Sequence, residues 1–171
     1  MAAARGREPS LRREFRAALA AGTTPARLDE ALLQLILFAG FARAINAFRV
    51  LRELVPGSPA PRSTPDAVRR RGEALCRRIY GPVYERMISR MRSYHPDLAA
   101  WILKDGYGKV LSRPGLSARE RELLVLPVLA ALNVPLQLRS HVAGAARVGA
   151  TKREIGDVLR GCGFGRAGIG I

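Results

Sequence analysis

Glu122 and His141 stand nineteen residues apart on what read as two consecutive helices, and a carboxylate facing an imidazole is a general acid–base arrangement. His141 lies in LNVPLQLRSHVAGAARVGAT (132–151), near Leu138, Val142 and Ala145, and is one of only two histidines in the chain. The stretch 118–132 is strongly apolar; Asn133–Val134 breaks it, and Pro135 opens a second helix that Gly149 ends. Helices joined so tightly run antiparallel. Glu122 is about eleven residues before the break and His141 about eight after it, which at ~1.5 Å per residue brings them within roughly a turn of one level. The carboxylate would then fix the tautomer of the ring. Gln137, four residues before His141, shares its helix face. Ser140 points about a third of a turn away, so a Ser–His nucleophilic pair is not expected. A structural reading of the same residues also stands: Glu122 as an exposed first-turn acid favoured by the helix dipole, His141 as a satisfied interface histidine.

The elements that must position these residues all read as helices. No stretch alternates β-branched and polar residues long enough for a strand. Pro9 opens a first helix that Gly22 stops. Thr24–Pro25 gives an N-cap and a first-turn proline for 25–38, with Leu28, Ala31, Leu32, Leu35 and Ile36 at helical spacing. Gly40 breaks that helix and 41–54 follows. VPGSPAPRSTP (55–65) has four prolines in eleven residues and reads as an extended linker. Beyond it, helices are expected over 66–79 (capped by Thr64), over 82–93, and from His95–Pro96 until Gly106 and Gly108. Residues 109–120 read as a turn leading into a capping box, Ser117 with Glu120; Thr151 with Glu154 makes a second, starting 152–161. The glycine-rich tail, 161–171, is expected to fray. The domain reading is therefore an N-terminal segment spanning residues 1–54, the linker 55–65, and a main domain spanning residues 66–171, packing as one fold.

Composition narrows the function classes. The chain is 48% hydrophobic and 25% charged, an ordinary globular balance. Cys76 and Cys162 form no CxxC and suit a reducing cytosol. No apolar run reaches the ~18 residues of a membrane helix, the best candidate (31–42) being interrupted by Gln34. The Arg-rich start lacks an apolar core and does not read as a secretory signal. A cytoplasmic location and no membrane partner are expected. The net charge of +15 invites a nucleic-acid partner, but only Lys104, Lys109 and Lys152 among the 29 basic residues are lysines, and the arginines are spread over nearly every helix. The densest cluster, 69–78, has no interleaved aromatics, so nucleic-acid binding is not expected.

At a constant offset of 127, residues 14–33 match 141–160: Gly22 on Gly149, Thr24 on Thr151, Leu28 on Ile155, Leu32 on Leu159. This reads as an internal repeat of helix, glycine stop, threonine cap, helix. Glu14 falls on His141, so the turn geometry does not require the histidine.

The stretch 107–159 resembles the carboxymuconolactone decarboxylase family, which includes the alkylhydroperoxidase D-like proteins. The likeness rests on Tyr107–Gly108, Arg113-Pro114-Gly115-Leu116, Arg119 to Leu123, Ala130-Ala131-Leu132, Leu138-Arg139-x-His141 and Gly149-x-Thr151-x-x-Glu154-Ile155. Residues 14–48 resemble the last half of the same unit, including Ala39-Gly40-Phe41 and Asn46. The resemblance implies an all-α fold, an alkylhydroperoxidase D-like helical bundle built here from duplicated helix–turn–helix half-units. It also implies self-association as a dimer, trimer or hexamer.

In the family's peroxidase branch two cysteines precede the histidine by seven and four residues and a glutamate by nineteen. Here the glutamate and histidine match as Glu122 and His141, but the cysteine positions hold Val134 and Gln137. A thiol peroxidase activity is disfavoured, since it needs a low-pKa thiol. The lactone decarboxylase branch lacks those cysteines and needs no metal or organic cofactor. What that branch implies is acid–base chemistry, decarboxylation or isomerisation, on a small carboxylated or lactone substrate. His141 would be the acid–base and Glu122 its orienter, Arg139 or Arg113 a carboxylate clamp, and Tyr107 and Gln137 pocket residues. Arg113 reads first as a stabiliser of its own RPGL turn. The alternative function is a non-catalytic oligomer; an open, polar pocket at His141 would favour the enzyme, and a site filled by Leu and Val the scaffold.

Overall fold

The computed structural model describes residues 2–5, 7–59 and 64–162. Among these there is no strand. The helices are α1 (Ala2–Arg5), α2 (Glu8–Ala20), α3 (Pro25–Arg52), α4 (Pro65–Tyr80), α5 (Tyr84–Tyr94, after a 3₁₀ turn Gly81–Val83), α6 (Pro96–Trp101), a π-helical segment Ile102–Leu111, α7 (Ala118–Leu132), α8 (Pro135–Arg147) and α9 (Lys152–Arg160). The starts follow their caps. Thr24, Thr64, Ser117 and Thr151 each accept a hydrogen bond from a first-turn amide, and the last two close full capping boxes with Glu120 and Glu154. Gly22 and Gly149 both take positive φ, 86° and 97°, so the two Gly-x-Thr turns share one local geometry.

Three apolar clusters hold the helices. One joins α1, α2 and α3 with Val128 of α7; a second lies within α7, α8 and α9; a third joins α4, α5, α6 and the π-segment. Phe38 of α3 packs against all three and is the junction between them.

Several local expectations need correction. The short helix α1 is an element the sequence pattern does not predict. Gly106 and Gly108 do not end the helix that starts at Pro96; it widens into π geometry and runs to Leu111. The reason lies outside the segment. A Cβ on Gly72 of α4 would stand 2.5 Å from the Gly108 backbone nitrogen. The two glycines thus let α4 and the π-segment approach more closely than any side chain allows. Gly40, with φ 82° and ψ 165°, is non-helical and breaks α3 into two helical parts, as its place in the sequence leads one to expect. The tail beyond Cys162, and residues 60–63 of the linker, lie outside the described residues.

α3 also corrects the expectation that no segment is apolar enough for a membrane. Its most apolar 18 residues have mean hydropathy 1.6, sufficient by length and composition alone. Gln34, which interrupts the run in sequence, is buried and donates to the Arg121 carbonyl at 2.8 Å. In the fold α3 buries Leu32, Leu35, Ala44, Ala47, Val50 and Leu51, and its Asp29 and Glu30 are ion-paired.

Candidate functional site

The Ser117–Glu120 capping box fixes where α7 begins and so which of its side chains face inward. Arg121 and Glu122 are both buried by it, in different directions. Arg121 donates to Glu30 of α3 and to the Arg113 carbonyl, each at 2.9 Å. Glu122 turns toward α8. Asn133, in the left-handed region (φ 54°, ψ 50°), closes the hairpin and sets α8 beside α7.

His141 Nδ1 donates to Glu122 Oε2 at 2.9 Å. The Glu122 side chain is 3% exposed and that of His141 12%. Glu122 is thus no exposed first-turn acid. Gly144, the next residue on the His141 face, makes the pair possible, because a Cβ there would lie 2.9 Å from Glu122 Oε2. Phe38 meets the imidazole edge-on, with ring centroids 5.3 Å apart. With Nδ1 committed to the carboxylate, Nε2 is the nitrogen left for chemistry.

The imidazole lines a cleft of about 560 Å³ between α5 and α8. Gln137 and Ser140 contribute from α8, and Tyr80 from the end of α4. Burial raises the pKa of the Tyr80 hydroxyl against the opposing influence of Tyr107 and Ser140 nearby, so it is a neutral phenol at ordinary pH. Tyr107 lies beneath it, the rings meeting edge to face at 6.3 Å. Burial holds Tyr107 protonated as well.

Of the residues singled out in sequence, His141, Glu122 and Gln137 come together. Three others do not join them at the cleft. Tyr107 is buried behind Tyr80 and supports the wall rather than lining it. Arg113 pairs with Glu30, its Nε 2.9 Å from Oε1, and lines a separate cavity of about 470 Å³. Arg139 is exposed and outside the cleft lining, since two residues along a helix turn a side chain about 200° from His141. Val134 packs into the α7–α9 cluster.

Sequence reasoning missed the opposite wall. It is α5, which presents Arg86, Met87, Arg90 and Met91, with Tyr94 at the rim. The signal was there: Tyr84, Met87, Ile88 and Met91 repeat at helical spacing, with the two arginines one turn apart beside them.

The two thiols lie in different settings. Cys76 is fully buried, and desolvation pushes its pKa up to about 12. Cys162 donates to the Val158 carbonyl on α9. Among the described residues no group of three or more His, Cys, Asp or Glu is arranged to hold a metal.

Comparison with known proteins matches residues 1–53 and 96–168 to the carboxymuconolactone decarboxylase family. A protein of Schizosaccharomyces pombe named peroxisomal protein 2 is 36% identical over 140 residues, covering 75% of this chain and 63% of its own. A Saccharomyces cerevisiae protein of the same name is 27% identical over 167 residues, covering 80% and 59%. A 4-carboxymuconolactone decarboxylase of Acinetobacter baylyi is 31% identical over 77 residues, covering 45% and 58%. The chain therefore spans about three fifths of the length of these relatives. No solved structure matches.

Proposed function

The chain belongs to the carboxymuconolactone decarboxylase family, and from that premise we propose that it is an enzyme performing acid–base chemistry on a carboxylated or lactone substrate through His141. The observation that carries the proposal is the 2.9 Å Glu122–His141 pair at the wall of an open cleft. A scaffold that had lost its chemistry has no need to keep a buried carboxylate oriented on an imidazole beside empty space. That space is open, and Gln137, Ser140 and Tyr80 border it together with Val83 and Leu136.

The reaction class follows from the groups present. In a decarboxylation the C–CO₂ bond breaks and its electron pair passes into a conjugated carbonyl. The His141 imidazolium, stabilised by Glu122, then delivers its Nε2 proton to the carbon and is left as a neutral imidazole, to be reprotonated from water. In an isomerisation the same nitrogen removes and returns one proton. Tyr80, a lining residue of the same cleft, is the phenol available to donate to the developing enolate oxygen.

Turnover of candidate lactones and unsaturated keto acids by His141→Ala and Glu122→Gln proteins tests this. The expected results are loss of turnover in the first and a kcat about 100-fold lower in the second, with KM little changed. Rates like the parent's in both would sink the assigned roles. Thiol peroxidase activity is the weaker reading, because Cys76 is buried and Val134 and Gln137 occupy the cysteine positions of that branch. A Cys76→Ser/Cys162→Ser protein that reduces hydroperoxides as well as the parent would remove it.

Self-association belongs to the same proposal. Leu37, Phe41 and Ile45 are exposed on α3 around its kink, an apolar patch of the kind that pairs with another copy; sedimentation of the parent and of Phe41→Asp tests it. The names of the two yeast relatives favour a peroxisomal compartment over the general cytoplasm expected from composition, which fluorescence imaging of the tagged full-length protein would check.

A further inference from the structure

The residues on α5 fall outside the family match, which passes over 54–95, yet they build half of the cleft wall. Arg86 and Arg90 lie one turn apart on that helix and both border the cleft. Arg147 faces them from α8, held in place by donating to the Ile79 carbonyl at 3.2 Å. No acidic residue lines the cleft, and among the described residues none pairs with these three arginines. They differ from Arg12, Arg27, Arg49, Arg52, Arg77 and Arg119, which sit in ion pairs, and from the other arginines in sharing one concavity. Three uncompensated guanidinium groups around one concavity focus positive potential into it and suit bidentate capture of a carboxylate.

The rest of the wall is apolar. Met87 and Met91 line it from α5 and Ile102 from the π-segment, and the rim exposes Tyr94 at 67% and Leu136 at 70%. Large apolar side chains this exposed on both sides of one opening mark a ligand surface rather than a core. Methionines fit an extended, variable chain, because the unbranched thioether repacks easily. A volume of about 560 Å³ exceeds what a compact dicarboxylate needs.

We infer that the cleft takes an amphipathic carboxylate: an acid group held by Arg86 and Arg90, with a medium-length apolar body along Met87, Met91 and Leu136. This rests on the reading of His141 as the reactive group, and it makes α5 the element that sets substrate choice.

Calorimetric titration with octanoate, propanoate and 1-octanol tests it without turnover. The expected result is saturable octanoate binding to one site, with propanoate and 1-octanol each about tenfold weaker or more. Arg86→Gln/Arg90→Gln, at two exposed positions where an unchanged melting curve is expected, should weaken octanoate by about tenfold or more. Equal octanoate affinity in parent and double variant would overturn the inference, as would an absence of saturable binding. Met91→Gln gives a second readout: octanoate weakened and propanoate unaffected supports the apolar wall, whereas unchanged octanoate binding overturns it. His141→Ala separates the two proposals. Arginine-dependent octanoate binding in a protein with no His141-dependent turnover sinks the catalytic reading alone. His141-dependent turnover without arginine-dependent binding sinks the amphipathic one alone.

Discussion

At the scale of residues, the site depends on a missing side chain as much as on those present. Gly144 leaves the space into which the Glu122 carboxylate fits, with Ile79 Cγ2 on the other side at 2.9 Å from any added Cβ. Gly144→Ala is therefore expected to push the carboxylate off the imidazole. The chain should lose about 1–3 kcal/mol of stability by overpacking, and turnover should fall toward that of Glu122→Gln. A urea melt alongside a rate assay checks both, and a variant with parental rate and stability would mean that Glu122 relocates freely. The Glu–His spacing was legible in the sequence because two helices and a tight turn convert residue counts into heights. The requirement at Gly144 was not, because it arises between helices. Nor was the loss of Arg113 to Glu30, whereas the helical period alone already turns Arg139 away from the His141 face.

Two kinds of element hold these residues, and they fail in different ways. The α7 cap depends on charge. Backbone and side-chain hydrogen bonds from Ser117, with Arg27 added, lower the Glu120 pKa to about 2. A carboxylate depressed in the fold stabilises it above its unfolded value, and that contribution disappears as pH falls through the folded value. Comparing the Tm of parent and Glu120→Gln across pH should show a gap of about 1 kcal/mol equivalent at pH 7. The gap should begin to narrow below the ordinary carboxylate value of 4.5 and close near pH 2. A gap independent of pH would locate the effect in packing instead. The α4–π-segment contact depends on shape. Gly72→Ala places a Cβ against the Gly108 backbone, which cannot give way as a side chain can, so a loss of about 2 kcal/mol or more is expected in thermal unfolding. Caps and glycine stops were readable from sequence because each is satisfied within four residues. The run through Gly106 and Gly108 was not, because its cause lies more than thirty residues away on α4.

Across the whole molecule, one buried carboxylate ties the N-terminal helices to the site. Glu30 of α3 receives Arg121, 2% exposed, and Arg113 together. Burial lowers the Arg121 pKa against the pull of Glu30, a sign that this cation tolerates its position only with its partner. Glu30→Ala strands it and is expected to cost about 3–5 kcal/mol in chemical denaturation; a loss below about 1 kcal/mol would mean that water or another group takes over. The sequence by itself determined the all-helical class, the caps and the hairpin, because these rest on periodicity and neighbours close in the chain, and it offered the Glu122–His141 pair as one of two readings. Only the tertiary structure decided which arginines face the cleft and which are consumed by Glu30. It alone placed α5 as the opposite wall and Phe38 as the junction of three clusters. Those outcomes depend on how helices pack against one another, which helical periodicity leaves open.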